Sequence, residues 1–387
     1  MAFKPEVAFK SMLTPSPIVI SVDHGNNSIK TPDSAFSSGL SKDGDELDMK
    51  GNVVWYEEAK YTISQKRVPQ QNDKTKTSDF FILTLFAVGE HLTKDPGLRY
   101  LIRGTGTGAG AGAGINVASG TIPRTGQEIE DEESENRQRQ GYGQTQAIQI
   151  ELLTGLPPEH FKNKEMRLDL ERYFTGKKVF DFKFNNTPLR IEFVKTRVYC
   201  QGFAATYAFS EQLDDTAAVN IVDIGGVTVD MMLLVDGEIM MDTLTNLNLG
   251  IDFLYKKIKQ KIRSTGTKHG IRNDTIEGVL KEDKRVSEGC SPKYIEIITE
   301  EAKIFTRQLL QNISEEGLDL INDKTILVGG GAILLKKFIR ETKMVSKPFF
   351  ANNQLANAQG YLKIHEMLTE RAKARRAAQT AQSNQSN

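Results

Sequence analysis

The chain has 387 residues, enough for two or three domains with real cores. Its 39% hydrophobic and 26% charged content is that of a globular protein, and a formal net charge of zero excludes a strongly basic surface that would grip nucleic acid directly. Two cysteines, Cys200 and Cys290, are too few for a disulfide scaffold, no apolar run reaches the roughly 18 residues of a membrane span, and Met1–Glu6 has no signal-type apolar region. These features point to a cytoplasmic protein that makes no use of a membrane.

In chain order, residues 1–17 carry three prolines and read as a loose lead-in. Ile18-Val-Ile-Ser-Val22 is a β-branched strand that ends in Asp23-His-Gly25. Residues 31–100 alternate polar turns with short strand-like runs such as Val53–Tyr56. The run Asp79–Gly89 fits a strand or the opening of a helix. From Gly104 to Gly114 every second residue is glycine, and an acidic tract, Glu128–Glu135, follows. This stretch matches neither GxxxxGK[ST] nor GxGxxG, so residues 104–140 read as a flexible surface insertion, with a functional loop as the lesser alternative.

Order returns at 144–156, followed by a charged helix at 162–176 and a hairpin at 178–196 around Asn185–Pro188. A helix is expected over 201–212 and a strand from Val219. Asp236-Gly237 marks a hairpin turn. Further helices are expected at 252–262, 294–316 and 354–376. Residues 325–335 read as strand, glycine turn and helix, and 377–387 as a disordered polar tail.

The informative feature is a repeat. Ile18–Lys30 and Val219–Asp230 each run from a buried-type strand into Asp-x-Gly and then small or hydroxyl residues. Taken alone, either segment is as well explained by an ordinary Asp-Gly hairpin. Two in one chain point to two similar domains that face each other and offer a phosphate-binding turn to a shared cleft. In the first turn, Gly25 lets backbone N–H groups approach a phosphate, Ser28 adds a hydroxyl and Lys30 a point charge. Asp23 would repel phosphate and suits a hydrated Mg²⁺, which keeps several waters and takes few carboxylates. Asp223, Gly225, Gly226 and Thr228 repeat the arrangement, with Asp230 read as the strand-side partner of the hairpin and not a ligand. Gly329-Gly330-Gly331 forms a third turn whose bare backbone could lie against a purine or ribose, or could simply be a helix entry.

With these motifs in place, the sequence resembles the actin/Hsp70/sugar-kinase superfamily, and within it the ParM-like bacterial actins that segregate plasmids. Asp23–Lys30 resembles the phosphate-1 signature, Asp223–Asp230 phosphate-2, and Gly329–Gly331 the adenosine signature, over about residues 18–370. Leu153–Pro157, Leu249–Asp252, and Phe350–Asn353 with Ala356–Gly360 are similar to ParM segments that precede the first-domain insertion, open the helix after phosphate-2 and end the core. Val198–Phe203 sits where ParM carries its connecting segment. The resemblance implies an α/β actin-like fold, with two similar domains around a nucleotide cleft, each a mixed sheet flanked by helices. Domain I is expected over 18–212 with an insertion subdomain at about 31–143, domain II over 213–350, and a C-terminal helix at 351–376 returning to domain I.

It also implies ATP, with GTP as the alternative, bound through Asp23, Gly25, Asn26, Asn27, Ser28, Lys30, Gly225, Gly226, Val227, Thr228, Gly329, Gly330 and Gly331. Mg²⁺ would be held near Asp23 and Asp223, mainly through water. Gln201 stands where ParM-type proteins often have Glu and actin has Gln. An amide orients water but is a poor base, which implies slow, assembly-coupled hydrolysis with Gln201, Asp23 and Asp223 as the catalytic set. His24 replaces a small or apolar residue, and its ring is expected near the nucleotide or the strand edge without a catalytic role.

The implied function is a filament-forming ATPase that moves plasmid DNA through a ParR-like centromere-binding adaptor, so that the chain meets DNA only indirectly. The alternatives are a small-molecule kinase of the same superfamily, for which no carboxylate base stands out, and another bacterial cytoskeletal actin serving cell shape or a phage.

Overall fold

The computed structural model describes residues 16–43, 51–64, 68, 73–98, 101–102, 146–176, 179–207, 218–266, 270–351 and 353–385. The glycine-rich and acidic stretch at 104–140 lies outside the described residues, as do most of the N-terminal lead-in and 208–217.

Two mixed sheets organise the molecule. The first contains β1 (Ile18–Ser21), β5 (Gly39–Lys42), β6 (Val53–Tyr56), β7 (Ala59–Ser64), β8 (Ile148–Leu156), β9 (Phe180–Phe184) and β10 (Thr187–Cys200), in the order β1-β8-β10-β9-β6-β7-β5. β1, β8 and β10 are parallel, and the rest pair antiparallel. Strands from 39–64 therefore continue the first sheet through β9. A small sheet of β2 (Asp23–His24), β3 (Ser28–Lys30) and β4 (Ala35–Ser37) extends β1, whose line is carried on by the Val22 N–H donating to the Leu153 carbonyl.

The second sheet repeats the plan. β11 (Val219–Ile224), β15 (Lys324–Val328) and β16 (Pro348–Phe350) are parallel, while β12 (Val229–Val235) folds back antiparallel on β11 and pairs with β13 (Glu238–Ile239) and β14 (Thr245–Leu247). The registers show why the two sequence motifs match: Asp23 lies opposite Lys30 and Asp223 opposite Asp230, each pair closing a hairpin of the same length. The expected hairpins at Asn185 and Asp236-Gly237 are present, with positive φ at all three residues.

The ambiguous run at 79–89 is helix α1 (Asp79–Lys94). It is apolar on nearly every face because it is buried on nearly every face, and that erases the amphipathic signature. α2 (Pro158–Lys162) and α3 (Lys164–Thr175) follow β8, with Asn163 capping α3 through the Glu165 and Met166 N–H groups. The expected 201–212 helix is described only as α4 (Phe203–Tyr207). α5 (Ile251–Ser264), α6 (Asn273–Leu280), α7 (Lys284–Glu288), α8 (Pro292–Glu315) and α9 (Gly329–Thr342) pack with the second sheet.

The last helix, α10 (Ala356–Gln385), runs on past residue 376 where a disordered tail was expected. Ala372, Ala374, Ala377 and Ala378 favour helix strongly enough to carry it through that polar stretch. α10 crosses back to the first sheet and packs on α4, β8 and β1, with Tyr361 fully buried against Leu153 and Ala204.

This crossing depends on two glycines. A Cβ at Gly360 would meet the Ala204 carbonyl oxygen at 1.8 Å, and one at Gly155 would meet the Tyr361 hydroxyl at 2.0 Å. Gly360→Ala should therefore push α10 off α4 and lower stability by about 2–3 kcal/mol, read as a fall in the denaturant midpoint. An unchanged midpoint would mean that this close crossing does not hold the helix.

Candidate functional site: a cleft between two Asp-Gly turns

The parallel strands β1, β10, β11 and β15 all point their carboxyl ends at one cleft, where ligands of open α/β sheets bind. Every residue singled out from the sequence lines it: Asp23, Gly25, Asn26, Asn27, Ser28 and Lys30 from the first turn, Gln201, and Asp223, Gly225, Gly226, Val227, Thr228, Gly329, Gly330 and Gly331 from the second half. The turns meet at their tips, since a Cβ at Gly226 would lie 1.6 Å from Asn27 Nδ2.

The second turn is held by the start of α5. The Gly250, Ile251 and Asp252 N–H groups donate to the carbonyls of Val227, Gly225 and Gly226 at 2.9, 3.1 and 2.7 Å. These helix-end donors have no partner within the helix, and the turn supplies one. Of the three glycines at 329–331, two answer to packing. Gly329 has φ 86°, and a Cβ there would meet Asp223 Oδ1 at 2.3 Å, while one at Gly331 would meet Ile224 at 2.4 Å. Gly330 alone of the three faces open space, and all three belong to the first turn of α9.

Asp23 is 1% exposed. Burial alone would raise its pKa, but the Lys30 and Lys74 charges, with hydrogen bonds from Lys30 and Gln201, hold it below the ordinary carboxylate value. Lys30 Nζ lies 3.2 Å from Oδ2, and Gln201 Nε2 donates to Oδ1 at 2.7 Å. The Tyr361 hydroxyl approaches the same oxygen at 3.5 Å. Asp223 is raised instead: burial and the neighbouring Asp23 outweigh Lys30 and the Asn357 hydrogen bond at 3.2 Å. Asp230 is pushed up to about 8, first by burial and then by Asp223, and its Oδ1 is buried without a partner.

Asp23 on one wall and Asp223 on the other offer oxygen donors that suit a hard cation, whose charge would favour the ionised form of both. Among the described residues no cluster of three or more His, Cys, Asp or Glu could cage a metal. The arrangement therefore fits Mg²⁺, which keeps its waters and leans on a ligand's phosphates, better than a metal caged by protein alone.

Several cleft residues escaped the sequence reading. Asn357 accepts from the Gly202 N–H at 2.8 Å while donating to Asp223, and so ties the two halves beside Gln201. It lay within a stretch recognised only as a likeness. Tyr255, Glu277 and Lys281 line the cleft from α5 and the end of α6; Glu277 accepts from the Tyr255 hydroxyl at 2.8 Å and Lys281 Nζ at 2.9 Å. No local pattern marks them, nor Lys74.

His24 departs from expectation. Its ring turns away from the strand edge into the core, between Thr154 of β8 and Thr84 of α1, near Phe174. Thr84 donates to the Phe80 carbonyl, so it accepts from Nε2–H at 2.7 Å, and Nδ1 accepts from Thr154 at 2.9 Å. Both ring nitrogens are satisfied in the neutral form. Burial, then the Lys74 charge, lowers the pKa to about 3 from 6.5. The unfolded chain takes up a proton below pH 6.5 that the folded state refuses until about pH 3. Stability should thus fall across that window by up to about 1.4 kcal/mol per pH unit. Melting curves of the wild type and His24→Gln from pH 7 to 4 check this: the difference between them should shrink or reverse as pH falls, and parallel curves would refute it.

Comparison with known proteins agrees with this geometry. Residues 221–341 match the family model of the archaeal MreB-like actin homologues, C-terminal part. No curated protein matches the chain. Among solved structures, 93% of the chain aligns with all of apo ParM from pSK41 at 12% identity and TM-score 0.59. A further 91% alignment covers all of the ParM subunit of a 15-stranded filament from Clostridium botulinum, at 17% and 0.61. The archaeal actin homologue Ta0583 in complex with ADP aligns over 90% of this chain and 99% of its own, at 16% and 0.60. The chain therefore has the actin-like fold.

Proposed function

We propose that the chain is an actin-like ATPase that binds ATP and Mg²⁺ in the cleft and polymerises into dynamic filaments. The observation that carries this reading is the convergence of both Asp-Gly turns, Gln201 and the Gly329–Gly331 turn on one cleft between two similarly built sheets. Asp23 and Asp223 would hold a hydrated metal ion that neutralises phosphate charge, the glycine turns would offer backbone N–H groups, and Gln201 would position the attacking water. Gln201 donates to Asp23, so its amide would lie beside a cation that Asp23 held. Slow hydrolysis follows from an amide in place of a base. Nucleotide binding closes the cleft into a polymer-competent state, and hydrolysis loosens it.

Filament structures of the neighbouring ParM proteins support self-assembly here. The cellular role we favour is plasmid segregation in the cytoplasm through a ParR-like centromere-binding adaptor. The zero net charge suits that division of labour, because the DNA contact belongs to the adaptor.

Light scattering with pelleting and phosphate release, with Mg²⁺ and ATP or ADP, tests the reading. A critical concentration with ATP, followed by decay as phosphate appears, is expected. Asp223→Ala should abolish nucleotide binding, and Gln201→Ala should slow phosphate release roughly 100-fold while leaving binding intact. Absence of a polymer at any concentration would refute the filament reading.

A further inference from the structure

The cleft holds a second inner lysine. Lys74 opens a single turn of 3-10 helix just before α1, a turn capped by Asp73, whose Oδ1 accepts from the Thr75 N–H at 2.9 Å. Its Nζ stands 5.2 Å from the centroid of the Phe80 ring. The ammonium donates to the main-chain carbonyl of His24, where the first Asp-Gly turn begins. It lines the same cleft as Asp23, Gln201 and Thr228.

This ammonium is poorly matched by the protein itself. An ammonium has three N–H donors, and among the described residues Lys74 makes no ion pair. Asp23 on one wall and Asp230 on the other attract it without pairing with it, and Lys30 repels it. The other lysines of the cleft are committed: Lys30 to Asp23 and Lys281 to Glu277. Lys74 is only partly buried, so its remaining donors face the cleft, where an anion could replace water. Burial draws its pKa down to about 8, a shift that an arriving anion would reverse.

Position selects the anion. Lys74 stands with Asp23, His24 and Gln201 on the first-sheet wall, where the reacting end of a nucleotide would lie. The Glu277–Lys281 pair comes from the opposite half, on a helix packed against α7, α8 and α9.

Resting on the reading of the cleft as a nucleotide site, we propose that Lys74 binds the terminal phosphate of a nucleoside triphosphate and so makes the cleft distinguish triphosphate from diphosphate. Lys30 neutralises Asp23; Lys74 answers to the ligand.

Calorimetric titration of the full chain with Mg²⁺ and either ADP or a non-hydrolysable ATP analogue tests this in the wild type, Lys74→Met and Lys74→Arg. Lys74→Met should weaken the triphosphate analogue roughly 10- to 100-fold and leave ADP affinity within about threefold, while Lys74→Arg keeps most of the preference. Equal loss for both ligands would make Lys74 a structural residue and overturn the proposal, as would an unchanged ratio. Should Lys74→Met fail to fold, Lys74→Gln carries the same comparison. A wild type that binds neither ligand would overturn the nucleotide reading and this inference together. ADP binding with an unaltered ratio in the variants overturns the role of Lys74 alone.

Discussion

Asp23 and Asp223 end two equivalent strands beside the same cleft, and a carboxylate drawn out of water there must be paired or hydrogen-bonded to persist. The surrounding structure is arranged around that need. Asp23 takes Lys30 on one oxygen and Gln201 on the other; Asp223 takes Asn357, which also receives the Gly202 N–H. Gln201 and Gly202 are neighbours, so a short run of hydrogen bonds links one carboxylate to the other through the segment that joins the halves. A ligand that altered either carboxylate would act directly on that run of hydrogen bonds.

The glycines serve mostly to let this framework close. Gly226 yields to Asn27, Gly250 to the Gly226–Val227 backbone, Gly329 to Asp223, Gly331 to Ile224 and Gly360 to Ala204. Each marks a place where backbone meets a neighbour too closely for a Cβ. A glycine-rich signature in such a chain thus reports packing between elements as much as approach to phosphate, and only geometry separates the two, as Gly330 shows against its flanking glycines.

What the sequence discloses depends on whether the information is local. The two strand–turn units were legible because a strand, a turn and a fixed spacing sit within a dozen residues. Their meeting in one cleft could be inferred from repetition. α1 stayed ambiguous because complete burial hides helical periodicity. His24 looked like a cleft residue because its backbone is one; only the distant Thr84 and Thr154 explain why its side chain is not. Lys74, Asn357 and Glu277 reach the cleft from elements about 50 to 330 residues from the first turn; only a likeness marks the stretch around Asn357, and nothing around the other two announces it.

The repeat is imperfect at one informative position. The first hairpin sets Lys30 opposite its Asp, while the second sets another carboxylate, Asp230, opposite Asp223. The first half therefore carries its own cation and the second half a surplus of acid. Asp230 is accordingly pushed up to about 8, and Asp223 is raised as well. The relief comes from across the cleft: Lys30 acts on Asp223, and Lys74 on Asp230. Charge balance is thus reached only when the two halves face each other, which draws them together in a medium where such attractions are poorly screened. A phosphate group entering between them would compete for those same lysines, and the magnesium ion it brings would take up the carboxylates they had served. On the proposed reading of the cleft, exchange of one set of partners for the other would give a nucleotide electrostatic leverage over the angle between the two sheets.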